Sequence, residues 1–186
     1  MRKVKLIPGH YYHVYNRGVN RGKIFFQRAN WIFFLKRLRH YCQPESADIL
    51  AYCQMPTHYH LLIYNKSEQF GKKVMQPFTV SYTKAVNKQQ DRVGPLFQGP
   101  FQAICVDNDA YLHHLTRYIH LNPVMAGHVA HPADWEFSSY PDYIGMRNGT
   151  LPTTQWILNQ FPGRQAYRDF VEAPARNFST IQHLLP

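Results

Sequence analysis

Acidic side chains are scarce in this chain: 11 Asp and Glu stand against 21 Lys and Arg in 186 residues, a formal net charge of +10. The first acidic residue, Glu45, follows Arg2, Lys3, Lys5, Arg17, Arg21, Lys23, Arg28, Lys36, Arg37 and Arg39. A second basic run holds Lys66, Lys72, Lys73, Lys84, Lys88 and Arg92. Such an excess is the electrostatic footprint of a phosphate-backbone partner; a merely soluble basic surface is the blander alternative. Cysteine is also sparse. Cys42, Cys53 and Cys105 are odd in number and widely spaced, which excludes a disulfide framework and a CxxC zinc site. No stretch approaches the ~20 apolar residues of a membrane helix, and the opening residues lack the apolar run of a secretory leader. A cytoplasmic protein is expected. A phosphate-cradling glycine loop, an internal repeat and low-complexity sequence are likewise missing.

What is present suits a packed globular chain, with 45% hydrophobic and 15% aromatic residues. At this length one domain can bury about 70% of its unfolded surface. Tyr11-Tyr12-His13-Val14-Tyr15 reads as a first strand ending in the turn signal Asn16-Arg17-Gly18. Asn20-Arg21-Gly22-Lys23 reads as a basic loop placed to touch phosphate. Trp31, Phe34, Leu35 and Leu38 recur at helical spacing between Arg28 and Tyr41. A strand over 48–54, a tight Met55-Pro56-Thr57 connection and a second strand from His58 predict an antiparallel pair. A helical segment over 68–87 carries Phe70, Val74, Phe78 and Tyr82 four apart, with Pro77 expected to kink or divide it. Phe101 to Val106 can form an edge strand. Asp107-Asn108-Asp109 offers a cap for a helix over 109–122, expected to stop before Pro123. Residues 127–149 read as loop-rich, anchored by Trp135, Phe137, Tyr140 and Tyr143. Short helices follow over 153–161 and 164–171. The order β-α-β-β-α-β, followed by helices, predicts an α+β, ferredoxin-like (RRM-like) antiparallel sheet with helices packed on one face.

Two features carry candidate chemistry. In Met55-Pro56-Thr57-His58-Tyr59-His60-Leu61-Leu62-Ile63 the histidines alternate with Tyr59 and so share one face of a strand. Their Cα atoms would lie roughly 6.5–7 Å apart, close enough for both imidazoles to reach one ion. Burying them costs stability unless they are bonded or metal-bound. Leu112, Leu115 and Ile119 define the apolar stripe of the 109–122 helix, with Tyr118 and Asn122 together at its margin and His114 a turn earlier. Taken singly, each has a plain reading: satisfied core histidines, and a half-buried tyrosine bonded through its hydroxyl.

Together the histidine stretch and Arg117-Tyr118-Ile119-His120-Leu121-Asn122-Pro123-Val124-Met125-Ala126-Gly127 resemble the single-tyrosine HUH transposases, and more narrowly the REP-associated tyrosine transposases. Further matching motifs are Tyr12 to Gly18, Gly94 to Gly99, His131 to Trp135 and Ser138 to Tyr140; the likeness spans about residues 10–145. Members often carry Arg and Lys after the Phe-Gln-Gly motif, where this chain has Pro100 and Gln102. The resemblance implies a transposase domain over 1–150 and a helical extension over 151–186. It implies Tyr118 as nucleophile in strand transfer on single-stranded DNA, and His58, His60 and Asn122 around a divalent ion. Two neutral imidazoles with oxygen ligands would hold Mn²⁺ tightly and Mg²⁺ more weakly, with no structural zinc role. Neither motif contains a carboxylate to serve as general base, leaving His114 or His120 as candidates. Single-stranded or hairpin DNA of the REP palindrome type is the implied partner, with Arg17, Arg21, Lys23, Lys72 and Lys73 as DNA-binding candidates. The implied assembly is a monomer or homodimer, nucleoid-associated. A catalytically lapsed DNA-binding module of the same fold, and a metal hydrolase built on the histidine pair, are the competing readings.

Overall fold

The computed structural model describes residues 6–106, 108–174, 178, 182–183 and 185–186. Arg2, Lys3, Lys5 and Asp107, and with Asp107 part of the expected helix cap, fall outside them. Four strands, β1 (His10–Arg17), β2 (Ala47–Met55), β3 (His58–Asn65) and β4 (Gln102–Val106), form one antiparallel sheet in the order β2-β3-β1-β4. The histidine strand β3 is therefore central. A two-residue turn, Pro56-Thr57, joins it to β2, and the pairing runs Met55 to His58 and Gln54 to Tyr59.

The alternation of side chains divides β3 between two cores. Tyr59, Leu61 and Ile63 face a cluster built with α1 (Arg28–Tyr41) and α2 (Gln76–Gln89). α1 contributes Trp31, Phe34 and Leu38, the expected helical stripe, and starts where the Gln27 and Asn30 side chains cap each other's backbone. Phe70, Val74, Phe78 and Tyr82 all enter this core. Pro77 divides their segment as expected: a π-helical turn over Phe70–Met75 gives way to α2, with the proline in its first turn, where a missing N–H goes unnoticed.

The opposite face of β3 carries His58, His60 and Leu62. It is covered by α3 (Asp109–Met125), which contributes Leu112, Leu115 and Ile119. Three short helices, α4 (Tyr140–Tyr143), α5 (Gln155–Leu158) and α6 (Arg164–Glu172), complete the second cluster with Tyr140, Tyr143, Ile157, Leu158, Tyr167 and Val171. The elements after β4 thus form a second layer and bury α3 on its outer side too.

α3 does not end before Pro123. It continues to Met125 and is terminated by Gly127 (φ +71), whose N–H donates to the Val124 carbonyl at 3.0 Å while His128 N–H donates to the Pro123 carbonyl at 2.9 Å. This is a Schellman ending, which needs a left-handed residue that glycine adopts freely. Pro123 removes only one donor, that to the Ile119 carbonyl, so the last turn survives it.

Candidate active site

The site forms where β3 passes under the second half of α3. His60 is 1% exposed. Its Nδ1 lies 2.9 Å from His13 Nε2, the two rings being stacked at 5.1 Å. His13, two residues before Tyr15 on β1, reaches His60 from the neighbouring strand. On the next ring, His58 Nδ1 meets Thr57 Oγ1 at 3.0 Å, and His58 Nε2 meets Asn122 Oδ1 at 3.3 Å. The two histidine rings stand 5.0 Å apart and nearly perpendicular. Tyr118 packs its ring edge-on against His60 at 5.6 Å and against His13 at 6.4 Å, and the Phe178 ring covers it at 5.5 Å. Spacing of i, i+4 on α3 puts the Tyr118 phenol and the Asn122 amide side by side.

Burial sets the electrostatics. It holds the His60 imidazole well below its ordinary pKa, with His13 and His58 adding to the effect. His58 is lowered as well, chiefly by burial, against an opposing hydrogen bond to Asn122. Both rings are therefore neutral at pH 7, the form in which an imidazole ligates a metal. Burial raises the Tyr118 phenol, and its hydrogen bond with Asn122 pulls the other way.

Two buried polar atoms at this point, His60 Nε2 and Asn122 Nδ2, have no hydrogen-bond partner among the described residues. Unpaired polar atoms are expensive to bury, and such exceptions ask for a missing ligand. With their Nδ1 atoms engaged by Thr57 and His13, the two imidazoles can turn their Nε2 lone pairs on one ion, with the Asn122 amide oxygen as a third donor. The donor set fits a divalent cation that keeps open positions for oxygen ligands. Among the described residues no group of three His, Cys, Asp or Glu side chains is arranged to hold a metal by itself, so the third donor here would be the Asn122 amide.

Beside the pair opens a cavity of about 560 Å³ lined by Tyr15, Arg17, Arg21, His58, His60 and Gln98 among others. Arg17 pairs directly across the sheet with His58, and its Nε donates to Gln98 Oε1 at 2.6 Å. Arg21 is brought there by a tight loop. Gly18 N–H donates to the Thr57 carbonyl, Ile24 N–H donates to the Pro56 carbonyl, and a Cβ on Gly18 would lie 2.1 Å from the Gly22 oxygen. Arg21 itself holds φ +57, a left-handed conformation that non-glycine residues adopt at about 1–3 kcal/mol.

The structure thus unites Tyr118, His58, His60, Asn122, Arg17 and Arg21. Lys23 is exposed beyond the loop and does not line the cavity. Lys72 and Lys73 are exposed on the π-helical turn, on the other side of the sheet from the histidines. His120, a proton-acceptor candidate from the sequence, is excluded by position. It is fully buried under Tyr140, Tyr143 and Tyr167, with Nδ1 2.8 Å from the Tyr167 hydroxyl and Nε2 2.8 Å from Ser139 Oγ. His114 packs on Phe170 with a buried, unpartnered Nδ1. The residue that motif reading passed over is His13. Its signal was the alternation His13-x-Tyr15 on a strand neighbouring β3.

A family model described as IS200-like transposase matches residues 7–122, which take in β1, both histidines and the end of the site at Asn122. Among solved structures, a REP-associated tyrosine transposase bound to a REP hairpin superposes with a TM-score of 0.58 at 18% identity, covering 78% of this chain and 84% of that one. No curated protein matches. Among the described residues no helix is long and apolar enough to cross a membrane. A family model that matches well more than half of the chain makes this chain a member of the IS200-like transposase family.

Proposed function

We propose that this protein nicks and rejoins single-stranded DNA next to a hairpin, through a covalent bond to Tyr118. The reading rests on one observation above all: a sealed imidazole nitrogen with no partner among the described residues, on His60, whose ring meets that of Tyr118 edge to face. In the step proposed, the Tyr118 oxygen loses its proton and attacks a backbone phosphorus. The bond from phosphorus to the 3′ oxygen breaks, that oxygen takes up a proton, and a 5′-phosphotyrosine and a free 3′-OH result. The bond energy is retained, so joining needs no nucleotide cofactor. A divalent cation, when bound, would draw charge from the scissile phosphate. His58 and His60 would hold it through Nε2, with the Asn122 oxygen as third donor and Mn²⁺ bound more tightly than Mg²⁺. Asn122 also orients the phenol. Arg17 and Arg21 flank the strand at the cavity, while Lys23, Lys72 and Lys73 grip phosphates of the stem further off.

A hairpin of the REP palindrome type is the substrate class we infer, consistent with the hairpin bound by the structural relative. Tyr118 and the histidines of a single chain lie together, a geometry that suits a monomer and equally a homodimer with one complete site per subunit. Residues 1–150 would carry the chemistry, with α6 of the 151–186 extension bracing α3. A protein handling DNA this way would work in the cytoplasm, at the nucleoid.

The test is a denaturing gel after incubation with Mn²⁺ or Mg²⁺ and an oligonucleotide carrying a 5′ hairpin. A covalent adduct is expected with the wild type and none, a loss of at least about 10³-fold, with Tyr118→Phe, which removes the attacking oxygen. Tight hairpin binding with no adduct under either metal would mean a DNA-binding module without chemistry.

A further inference from the structure

Building on the metal reading above, we infer that His13 is a positioning residue that fixes the tautomer of His60 and so makes its Nε2 a ligand. An imidazole is a ligand only through a nitrogen without hydrogen, and a neutral ring has one such nitrogen. For His60 to offer Nε2, its proton must sit on Nδ1, and a proton there needs an acceptor. His13 Nε2 is that acceptor, 2.9 Å away and sealed from water. The rings are nearly parallel at 25°, and β1 and β3 are hydrogen-bonded neighbours, so the spacing is set by the sheet itself rather than by a loop.

The choice of residue is chemically specific. Ligating histidines are most often held from behind by a carboxylate or a backbone carbonyl. A carboxylate here would add a buried negative charge where a phosphodiester has to approach. Neutral imidazole accepts the same proton with no net charge, leaving the cation's charge for the phosphate. Thr57 Oγ1 serves His58 in the same way, from 3.0 Å at its Nδ1. Both ligands are thereby held from Nδ1 by partners other than a carboxylate, in a site whose two motifs contain no Asp or Glu.

The test uses the full chain without DNA and compares His13→Phe, which keeps a ring and loses the acceptor, with His13→Gln, whose side-chain oxygen can take the place of Nε2. Mn²⁺ affinity is read from the free-ion electron-paramagnetic-resonance signal, and folding from the melting temperature. Loss of this outer partner should weaken Mn²⁺ binding about 10–100-fold in His13→Phe. His13→Gln should recover to within about threefold of wild type on the same scale. In the metal-free wild type, long-range ¹H–¹⁵N spectra should show His60 protonated at Nδ1, and a mixture of tautomers in His13→Phe. Wild-type Mn²⁺ affinity in His13→Phe, or no recovery in His13→Gln, would overturn the role of His13 while leaving the metal site standing. A wild type that binds no Mn²⁺ would overturn both, and the His60 tautomer would then show whether the local geometry was read correctly.

Discussion

His60 on β3 and His120 on α3 are both sealed from solvent on the same side of the sheet, and they differ in what their nitrogens meet. Around His120 every valence is used. The Tyr167 hydroxyl donates to Nδ1, Nε2–H donates to Ser139 Oγ, and that oxygen in turn accepts from Tyr52 N–H at 2.9 Å. Such a closed network rigidifies and has nothing left to offer a ligand. Around His60 the network stops one bond short, and the stop lies beside the tyrosine. Burial alone therefore separates no functional histidine from a structural one in this fold; the unfilled nitrogen does.

The difference should appear as a double dissociation. His60→Gln is expected to weaken Mn²⁺ binding by about 100-fold or more, at or beyond the upper end of what losing an outer-shell partner does. His120→Phe should leave Mn²⁺ affinity within about threefold. It strands the Tyr167 hydroxyl, at about 1–3 kcal/mol, while Ser139 Oγ keeps its two bonds to the Tyr52 backbone, so unfolding in urea should come at clearly lower denaturant. Equal losses of metal affinity in the two variants would erase the distinction.

Acid sharpens the same contrast at smaller scale. Burial depresses the His120 pKa to about 3, against 6.5 for the unperturbed ring. A depressed histidine binds more protons in the unfolded chain than in the folded one between those two values. Its contribution is therefore complete above 6.5 and is lost progressively as the pH falls toward 3. At pH 5 the loss from His120 alone should be about 2 kcal/mol relative to pH 7.5, read from urea midpoints. His58 and His60, lowered in the same direction, add to it. In His120→Phe the pH dependence should flatten by that amount. A wild type as stable at pH 5 as at 7.5 would show that these rings are not held neutral.

The sheet and its central strand were legible because alternation in His58 to Ile63 and the turn at Pro56-Thr57 are local signals, and α1 and α2 announced themselves by four-residue spacing. Tyr118 and Asn122 could be set on one helix edge for the same reason. The end of α3 was misread, because Pro123 is the louder stop signal and Gly127 the effective one: the helix loses a single hydrogen bond at the proline but needs a left-handed residue to close. His13 stayed hidden among the β-formers of its strand, since its meaning depends on register between β1 and β3, which no single strand encodes. The same holds for His120. One turn of sequence beside Tyr118 made it a proton acceptor on paper, yet two residues along a helix is about 200° around it, and the ring faces the C-terminal packing instead.

The smallest expected effect separates the two groups of cations. Arg17 and Arg21 line the cavity beside the histidines, whereas Lys72 and Lys73 are exposed beyond the opposite face of the sheet. If the arginines contact phosphates of the strand to be cut, each Arg→Ala change should weaken hairpin binding several-fold at low salt. It should also reduce the slope of log K against log salt by about 0.7–0.9, the value for one released phosphate contact. Their loss should slow adduct formation further, because a misplaced phosphate is no longer in line with the phenol. Lys72→Ala and Lys73→Ala should lower affinity by about twofold or less and shift the salt slope without touching the rate of adduct formation from bound DNA, as stem-gripping residues would. A lysine pair that slowed the chemistry as much as the arginines would place the DNA across both faces of the sheet, and the cavity beside His58 would then be only one part of the path it follows.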